Sequence, residues 1–389
     1  PRSGAVAGGG GALPAGGWTR IAVAGATSGP ATTQKENLPP NPSPLAHLTY
    51  DCAVLERASE ANAIGPYLYF EPFDDGGSGQ ARMCAIGWDG KLRRQLDRGL
   101  ATLQSADGSR LLAIDYPVVN SAPASYVIVD EANRILDHLK EIWNNEAIWA
   151  DDSRHLCYLE DSNALGQNGL AYLDVRVPGE PVRRVATLGA IIYLPPAGSN
   201  GGGVPSPSIA GPRLLACSMS ADRAVVLNPA NGTISVLRLS DGTKVGAHEF
   251  GRPFYPYHDP AGSAQLVVSR DGSYVADNVE GAHSVPILDL LTGADAADLE
   301  AVRVGGFSWD GKVAAVQVSD HVVAITEWRS GRVVRQLTGT YPSGFARPDS
   351  PDLLVGIPST RHEFGLDLYI IPGSGAPFEV ARSVEVTGR

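Results

Sequence analysis

Four of the chain's eight histidines fall between residues 258 and 362: His258 in "RPFYPYHDP", His283 in "NVEGAHSV", His321 in "QVSDHVV" and His362 in "PSTRHEF". Each has a carboxylate close by in sequence, Asp259, Glu280, Asp320 and Glu363 in turn. Neutral imidazole is the commonest protein ligand for a divalent ion, and three of them with one carboxylate complete a coordination sphere. The expectation is that His283, His321, His362 and Glu280 hold a metal while His258 and Asp259 act as catalytic acid and base. The rival expectation is that all four imidazoles are solvated loop side chains. His283, His321 and His362 fall at or beside the second-to-third strand loops of three consecutive structural units, and His258 lies at the entry to the first of these units, so all four could point toward one sector of one face.

Two further groups of side chains could bind. Phe254, Tyr255 and Tyr257 sit among prolines, and aromatic faces stack on a sugar or a peptide at small entropic cost; packing inside the fold would use them equally well. The loops "EPFDDGGSGQ" and "LEDSNALGQNG" supply Asp74, Asp75, Glu160, Asp161 and Asn163, oxygen ligands of the kind calcium takes, though without EF-hand spacing. Cys52, Cys84, Cys157 and Cys217 form no C-x-x-C pair, so they read as buried thiols, with disulfides open if the protein is exported. "NGT" at Asn231–Thr233 matches a glycosylation sequon and also places Asn-Gly at the centre of a hairpin turn. The chain has no G-x-S-x-G elbow, phosphate-binding loop or C-x-x-C-H haem motif.

The elements that must position these groups announce themselves by repetition. "SADGSRLLAID" begins at Ser105, "SRDGSYVAD" at Ser269 and "SWDGKVAAVQ" at Ser308. Asp107, Asp152, Asp222, Asp271, Asp310 and Asp349 anchor the series, with most intervals at roughly 40–50 residues, the length of a four-stranded propeller blade. The one longer interval contains a Gly/Pro-rich insertion at 194–212. Each unit reads apolar run, Asp-Gly turn, apolar run, polar loop, alternating strand, turn and last strand. The turn is expected to be a two-residue type I′ reversal, with positive φ at both central residues. Counting units gives an all-β, seven-bladed β-propeller of four-stranded antiparallel blades over 46–389, with later blades opening near Leu100, Ile142, Gly189, Arg252, Arg303 and Tyr341. Residues 1–17 read as a flexible Gly/Ala-rich leader and 18–45 as a strand followed by a Pro-rich tether.

The repeat resembles the WD40-like (PD40) unit of TolB-type propellers, F-S-P-D-G-K-x-[IL]-A-F. Ser308, Asp310, Gly311 and Lys312 match it, as do Ser269, Asp271 and Gly272, and Ser105, Asp107 and Gly108. Trp309, Arg270 and Ala106 stand where that signature has Pro. The resemblance implies a propeller and an extracytoplasmic, periplasmic or secreted location, and leaves the chemistry open, because such rings serve as platforms, enzymes and scaffolds alike. Oligogalacturonate lyases are similar in architecture, being seven-bladed and metal-binding through histidines, but none of their motifs occurs here.

A net charge of −11 without a basic tract argues against nucleic acid as a partner. No apolar run approaches the roughly 18 residues that span a bilayer. The first expectation is therefore a binding or scaffold protein without a cofactor, recognising a protein, peptide or glycan through the face bearing the variable loops, alone or as a subunit of a larger assembly. The second is a lyase or hydrolase on a carbohydrate or lactone, with calcium, manganese or zinc in the histidine sector.

Overall fold

The computed structural model describes residues 61–62, 67–70, 83–87, 92–96, 100–115, 125–139, 142, 146–161, 169–194, 208–254, 266–279, 281–319, 322–338, 341–345, 352–358, 366–371 and 378–384. These residues form antiparallel sheets one after another along the chain. Blade 1 holds β1 (Ala61–Asn62), β2 (Tyr67–Phe70), β3 (Met83–Gly87) and β4 (Leu92–Leu96). Blade 2 holds β5 (Leu100–Gln104), β6 (Arg110–Asp115), β7 (Ser125–Asp130) and β8 (Ile135–Leu139). Blade 3 holds β9 (Ala147–Trp149), β10 (Leu156–Asp161), β11 (Gly169–Arg176), β12 (Arg183–Leu194) and a fifth strand, β13 (Ser208–Ala210). Blade 4 holds β14 (Arg213–Ser218), β15 (Arg223–Asn228), β16 (Thr233–Arg238) and β17 (Lys244–Glu249).

Blade 5 holds β18 (Leu266–Val268), β19 (Tyr274–Asp277), β20 (Val285–Asp289) and β21 (Asp295–Leu299). Blade 6 holds β22 (Arg303–Phe307), β23 (Ala314–Ser319), β24 (Val322–Glu327) and β25 (Arg332–Thr338). Blade 7 holds β26 (Tyr341–Phe345), β27 (Leu353–Pro358), β28 (Leu366–Ile371) and β29 (Phe378–Val384). From β1 to β26, the first strand of each blade lies beside the first strand of the next. The fold is an all-β propeller, and the seven sheets agree in number with the units counted from the repeat.

The second strand of each unit shows why the sequence must fold this way. In β6, Leu111 packs with Tyr69 and Ala85 of blade 1, while Leu112 packs with Trp149 and Leu156 of blade 3. In β15, Ala224 and Val226 face blade 3, and Val225 and Leu227 face blade 5. A sheet buried on both faces needs consecutive apolar residues rather than alternation, which accounts for "RLLAID" and "RAVVLN". A fully buried Val or Leu is worth about 1.5–3 kcal/mol of apolar transfer, so most of the cohesion lies between blades.

Adjacent innermost strands leave backbone groups without ladder partners, and polar side chains fill the gap. Asn278 Oδ1 accepts from Val304 N (2.8 Å) and its Nδ2 donates to Val304 O (2.9 Å). Gln104 does the same for Tyr67 N and O. Glu146, buried, accepts from Leu214 N (2.9 Å) and from Arg213 Nε (3.0 Å). Each clamp satisfies main-chain groups that burial would otherwise orphan.

The repeated turn differs from the type I′ expectation. Gly108, Gly272 and Gly311 have φ of 73°, 68° and 66°, whereas the preceding aspartates are not in the positive-φ region. In each turn the glycine N–H donates to the serine carbonyl three residues back, at 2.8–2.9 Å. The serine hydroxyl donates to the aspartate (2.7, 2.6 and 2.7 Å) and accepts the N–H of the residue five along (3.0, 2.9 and 3.0 Å). Four residues lie inside the closing pair, so a single left-handed residue is enough to restore the strand direction. That residue is Ser153 (φ 56°) in blade 3 and Asp222 (φ 53°) in blade 4. Asp222 thus stands in the glycine position, one place later in the unit than the repeat alignment had it.

Gly189, expected to open the fourth blade, instead lies within β12, where a bulge opposite Ala171 and Tyr172 carries the strand on to Leu194. β12 then pairs with β13, so part of the Gly/Pro-rich insertion returns to the sheet. Cys157 of β10 and Cys217 of β14 form a disulfide between blades 3 and 4, and Cys84 is also disulfide-bonded, in place of the buried free thiols expected.

Candidate functional site

Within each blade the first-to-second and third-to-fourth strand turns open on one face, and the remaining connections open on the other. Of the histidine sector, only His283 lies in the described residues; it is exposed in the loop between β19 and β20. Glu280, His258, Asp259, His321 and His362 lie outside the described residues, as do Tyr255 and Tyr257. Among the described residues no group of three or more His, Cys, Asp or Glu is placed to hold a metal. Phe254 is 6% exposed and packs between blades 4 and 5, edge-on to Phe250 (5.4 Å) and beneath the Arg252 guanidinium (4.8 Å). Its ring is therefore occupied by packing.

Of the acidic loops, Asp74, Asp75 and Asn163 lie outside the described residues. Glu160, at the end of β10, belongs to a polar cluster on the side of blade 3 that faces blade 2. Arg184 lies over the Tyr172 ring (3.7 Å) and donates to Glu160 (3.0 Å) and to the fully buried Asp174 (3.0 and 3.2 Å). Burial first, and then the neighbouring Asp174 carboxylate, raise the Glu160 carboxyl above its ordinary range. Burial and the same two carboxylates push Tyr158 up to about 12. Close by, Arg176 makes a forked pair with Asp137 (2.5 and 2.6 Å). The cluster binds blade 2 to blade 3 and consumes its own charges.

A cavity of about 280 Å³ opens on the turn face, lined by Asp151, Ser218, Ser220, Arg270, Asp271, Trp309 and Asp310. It lies where the first turns of blades 3, 4, 5 and 6 converge. Asp151, Ser220, Arg270 and Trp309 each hold the second position of their turn, the variable residue between the Ser-type start and the Asp-type position. The Asp-Gly scaffold fixes the backbone there and leaves that side chain free to vary. Arg270 spans the mouth: its Nη2 donates to the Ala150 carbonyl of blade 3 (3.2 Å), and its guanidinium carbon lies 3.2 Å from the Trp309 ring centroid. Its Nε is buried without a hydrogen-bond partner. Burial lowers the Arg270 pKa to about 10, against the more distant pull of Asp151 and Asp152.

The carboxylates around the mouth are held by local donors. Asp151 accepts from Ser218 Oγ (2.9 Å), Met219 N (2.7 Å) and the Ser220 hydroxyl. Burial alone would raise its pKa, but these bonds outweigh it and bring the pKa below the ordinary carboxylate range. The same balance lowers Asp271, through Ser269 and Ser273. Lys312, 2.8 Å away, brings Asp310 down to about 2. The mouth thus keeps ionised carboxylates at any ordinary pH. The sequence carried a signal for it: Trp309 and Arg270 replace the proline of the repeat signature.

The fold and this mouth define the chain as a β-propeller with a polar, aromatic-floored opening at one end of its axis. No family model matches the chain, and no curated protein matches it. Among solved structures it is similar to the β-propeller domain of Cps50 (Swd1) from Myceliophteria thermophila, with 12% identity over 77% of this chain and 92% of that chain and a TM-score of 0.43.

Proposed function

We propose that this chain is a TolB-type, WD40-like binding propeller that works outside the cytoplasm as a recognition or scaffold subunit for a protein partner. One observation carries the proposal: the variable position of the first turn in four blades contributes Asp151, Ser220, Arg270 and Trp309 to a single opening. A repeat holds its framework constant for folding, and side chains that differ from blade to blade yet converge in space are suited to reading a ligand. That convergence favours the turn face over the loop face as the primary contact. The Cys157–Cys217 bridge and the disulfide at Cys84 support an oxidising compartment. This function needs no resident metal or cofactor.

The test is complex formation by the purified protein with components of an extracytoplasmic extract, followed by size-exclusion chromatography. Asp151→Asn and Trp309→Phe should each weaken the complex, while His283→Ala should leave it intact. A complex lost only with His283→Ala would move recognition to the loop face. Turnover of a carbohydrate or lactone abolished by changing His258 would replace the binding function with the enzymatic one.

A further inference from the structure

The mouth already contains a side chain that shows what fits it. Arg270 lies flat against an indole, reaches a carbonyl oxygen on the opposite side of the opening, and is flanked in the cavity lining by Asp151, Asp271 and Asp310. Planar guanidinium over Trp is the most favourable cation–π pairing. Yet Arg270 is a poor occupant. It comes from a turn at the rim, and holding this position leaves its Nε buried and unpartnered, a penalty of the kind native structures seldom leave unmet. Its charge is balanced through space by Asp151 and Asp152, with no ion pair among the described residues.

With Arg270 removed, the lining is an aromatic face, a carbonyl acceptor, two serine hydroxyls and three carboxylates. That set repels an anion and attracts a cation, and the whole chain adds to the bias with a net charge of −11. The cavity's volume of about 280 Å³ is the space left with Arg270 in place, and withdrawal of that side chain adds the room over the indole that it fills.

We propose that the turn-face mouth receives an arginine side chain from the partner protein, and that Arg270 is an internal stand-in that must swing aside to admit it. This rests on the binding function proposed above and names its ligand. The incoming guanidinium stacks on Trp309, donates to the Ala150 carbonyl and meets the carboxylate rim. Arg270, displaced, regains solvent for its Nε. The stand-in sets a threshold: a weak cation cannot displace it, and a guanidinium presented on a docked partner can.

Three capped tripeptides serve as probes, Gly-Arg-Gly, Gly-Lys-Gly and Gly-Glu-Gly, titrated calorimetrically and by tryptophan fluorescence into the full chain. Wild type should bind the arginine peptide weakly, and Arg270→Ala should tighten it at least tenfold, with arginine preferred to lysine. Asp151→Asn in the Arg270→Ala background should cost most of that gain. Trp309→Phe keeps an aromatic floor and should cost less than Trp309→Ala, with thermal melting checking that each variant is folded. Binding of the glutamate peptide that Arg270→Ala abolishes would overturn the proposal and make Arg270 an anion reader. An arginine affinity unchanged or weakened by Arg270→Ala would overturn it too. If the partner complex still depends on Trp309 in that case, the binding function stands and only the ligand assignment fails; a complex indifferent to Trp309 removes both.

Discussion

The Cys157–Cys217 bridge closes a loop of 60 residues in sequence separation and joins the core faces of two blades. The perturbation is the double variant Cys157→Ala/Cys217→Ala. In the chain-entropy description, a closed loop of that length removes about 14 cal/mol/K from the unfolded ensemble, which is about 4 kcal/mol near room temperature. Spread over the unfolding entropy of a 389-residue chain, that lowers the melting temperature by about 5 °C. Both cysteines are buried, at 0% and 2% exposure, so removal of their sulfurs adds a cavity cost of about 1 kcal/mol.

The assay is urea unfolding followed by tryptophan fluorescence, run with and without reductant. Oxidised wild type should exceed the double variant by the full amount. Refolding in reductant also breaks the disulfide at Cys84, which wild type and variant share, so the two proteins compared in reductant should differ by no more than the cavity cost. Cys157 and Cys217 of oxidised protein should resist thiol labelling both before and after unfolding, and become labelled once the unfolded chain is reduced. Equal midpoints for oxidised wild type and the variant, or two labelled thiols at Cys157 and Cys217 in native oxidised protein, would refute the reasoning.

Acid should weaken the turns. The carboxylates of Asp107, Asp271 and Asp310 titrate below their unfolded values, so the unfolded chain binds more protons and their stabilisation, complete above about pH 4, is lost as pH falls toward about 2 for Asp310. Asp271→Asn should flatten that part of a melting-temperature profile. Glu160 has the opposite sign: its raised pKa means the native state holds the proton more tightly, so its contribution is full below the unfolded value and fades as pH rises through the native one. Glu160→Gln should remove that decline and melt higher than wild type at neutral pH. Glycines with similar φ should differ in cost: a Cβ on Gly232 would lie 1.9 Å from the Arg252 carbonyl oxygen, whereas one on Gly311 meets nothing within 4 Å. Gly311→Ala should therefore cost only the left-handed strain of about 1–2 kcal/mol, and Gly232→Ala clearly more, in denaturant titrations. Asn278→Ala strands Val304 N and O between blades 5 and 6 and should cost about 1–3 kcal/mol.

The architecture was legible because its cause is local and repeated. The Ser-x-Asp-Gly phrase marks the first turn of blades 2, 5 and 6, and the uninterrupted apolar run after it marks a strand buried on both sides. The turn type was not legible, because Asp-Gly is compatible with both reversals and only the closing register, four residues inside the serine pair, selects between them. The disulfide was hidden for a different reason: Cys157 and Cys217 meet only through the stacking of two sheets, which no local pattern encodes. The mouth lay in between. Trp309 and Arg270 were visible as departures from the proline of the repeat signature, but their meeting with Asp151, over a hundred residues away in sequence, follows from ring curvature alone. Histidines drew attention by residue type, and residue type alone says nothing about convergence.

The fifth strand of blade 3 breaks the equivalence of the rim. An outermost strand ordinarily presents a row of free amides and carbonyls that another chain can use to extend the sheet. β13 takes up the last three residues of that row on β12, Ile192–Leu194, so the outer edge of this sector is stepped where the four-stranded blades have one outer strand. A neighbour that joins the wheel by sheet completion meets a different edge at this spoke from that at the four-stranded ones, which marks one position on an otherwise repetitive object.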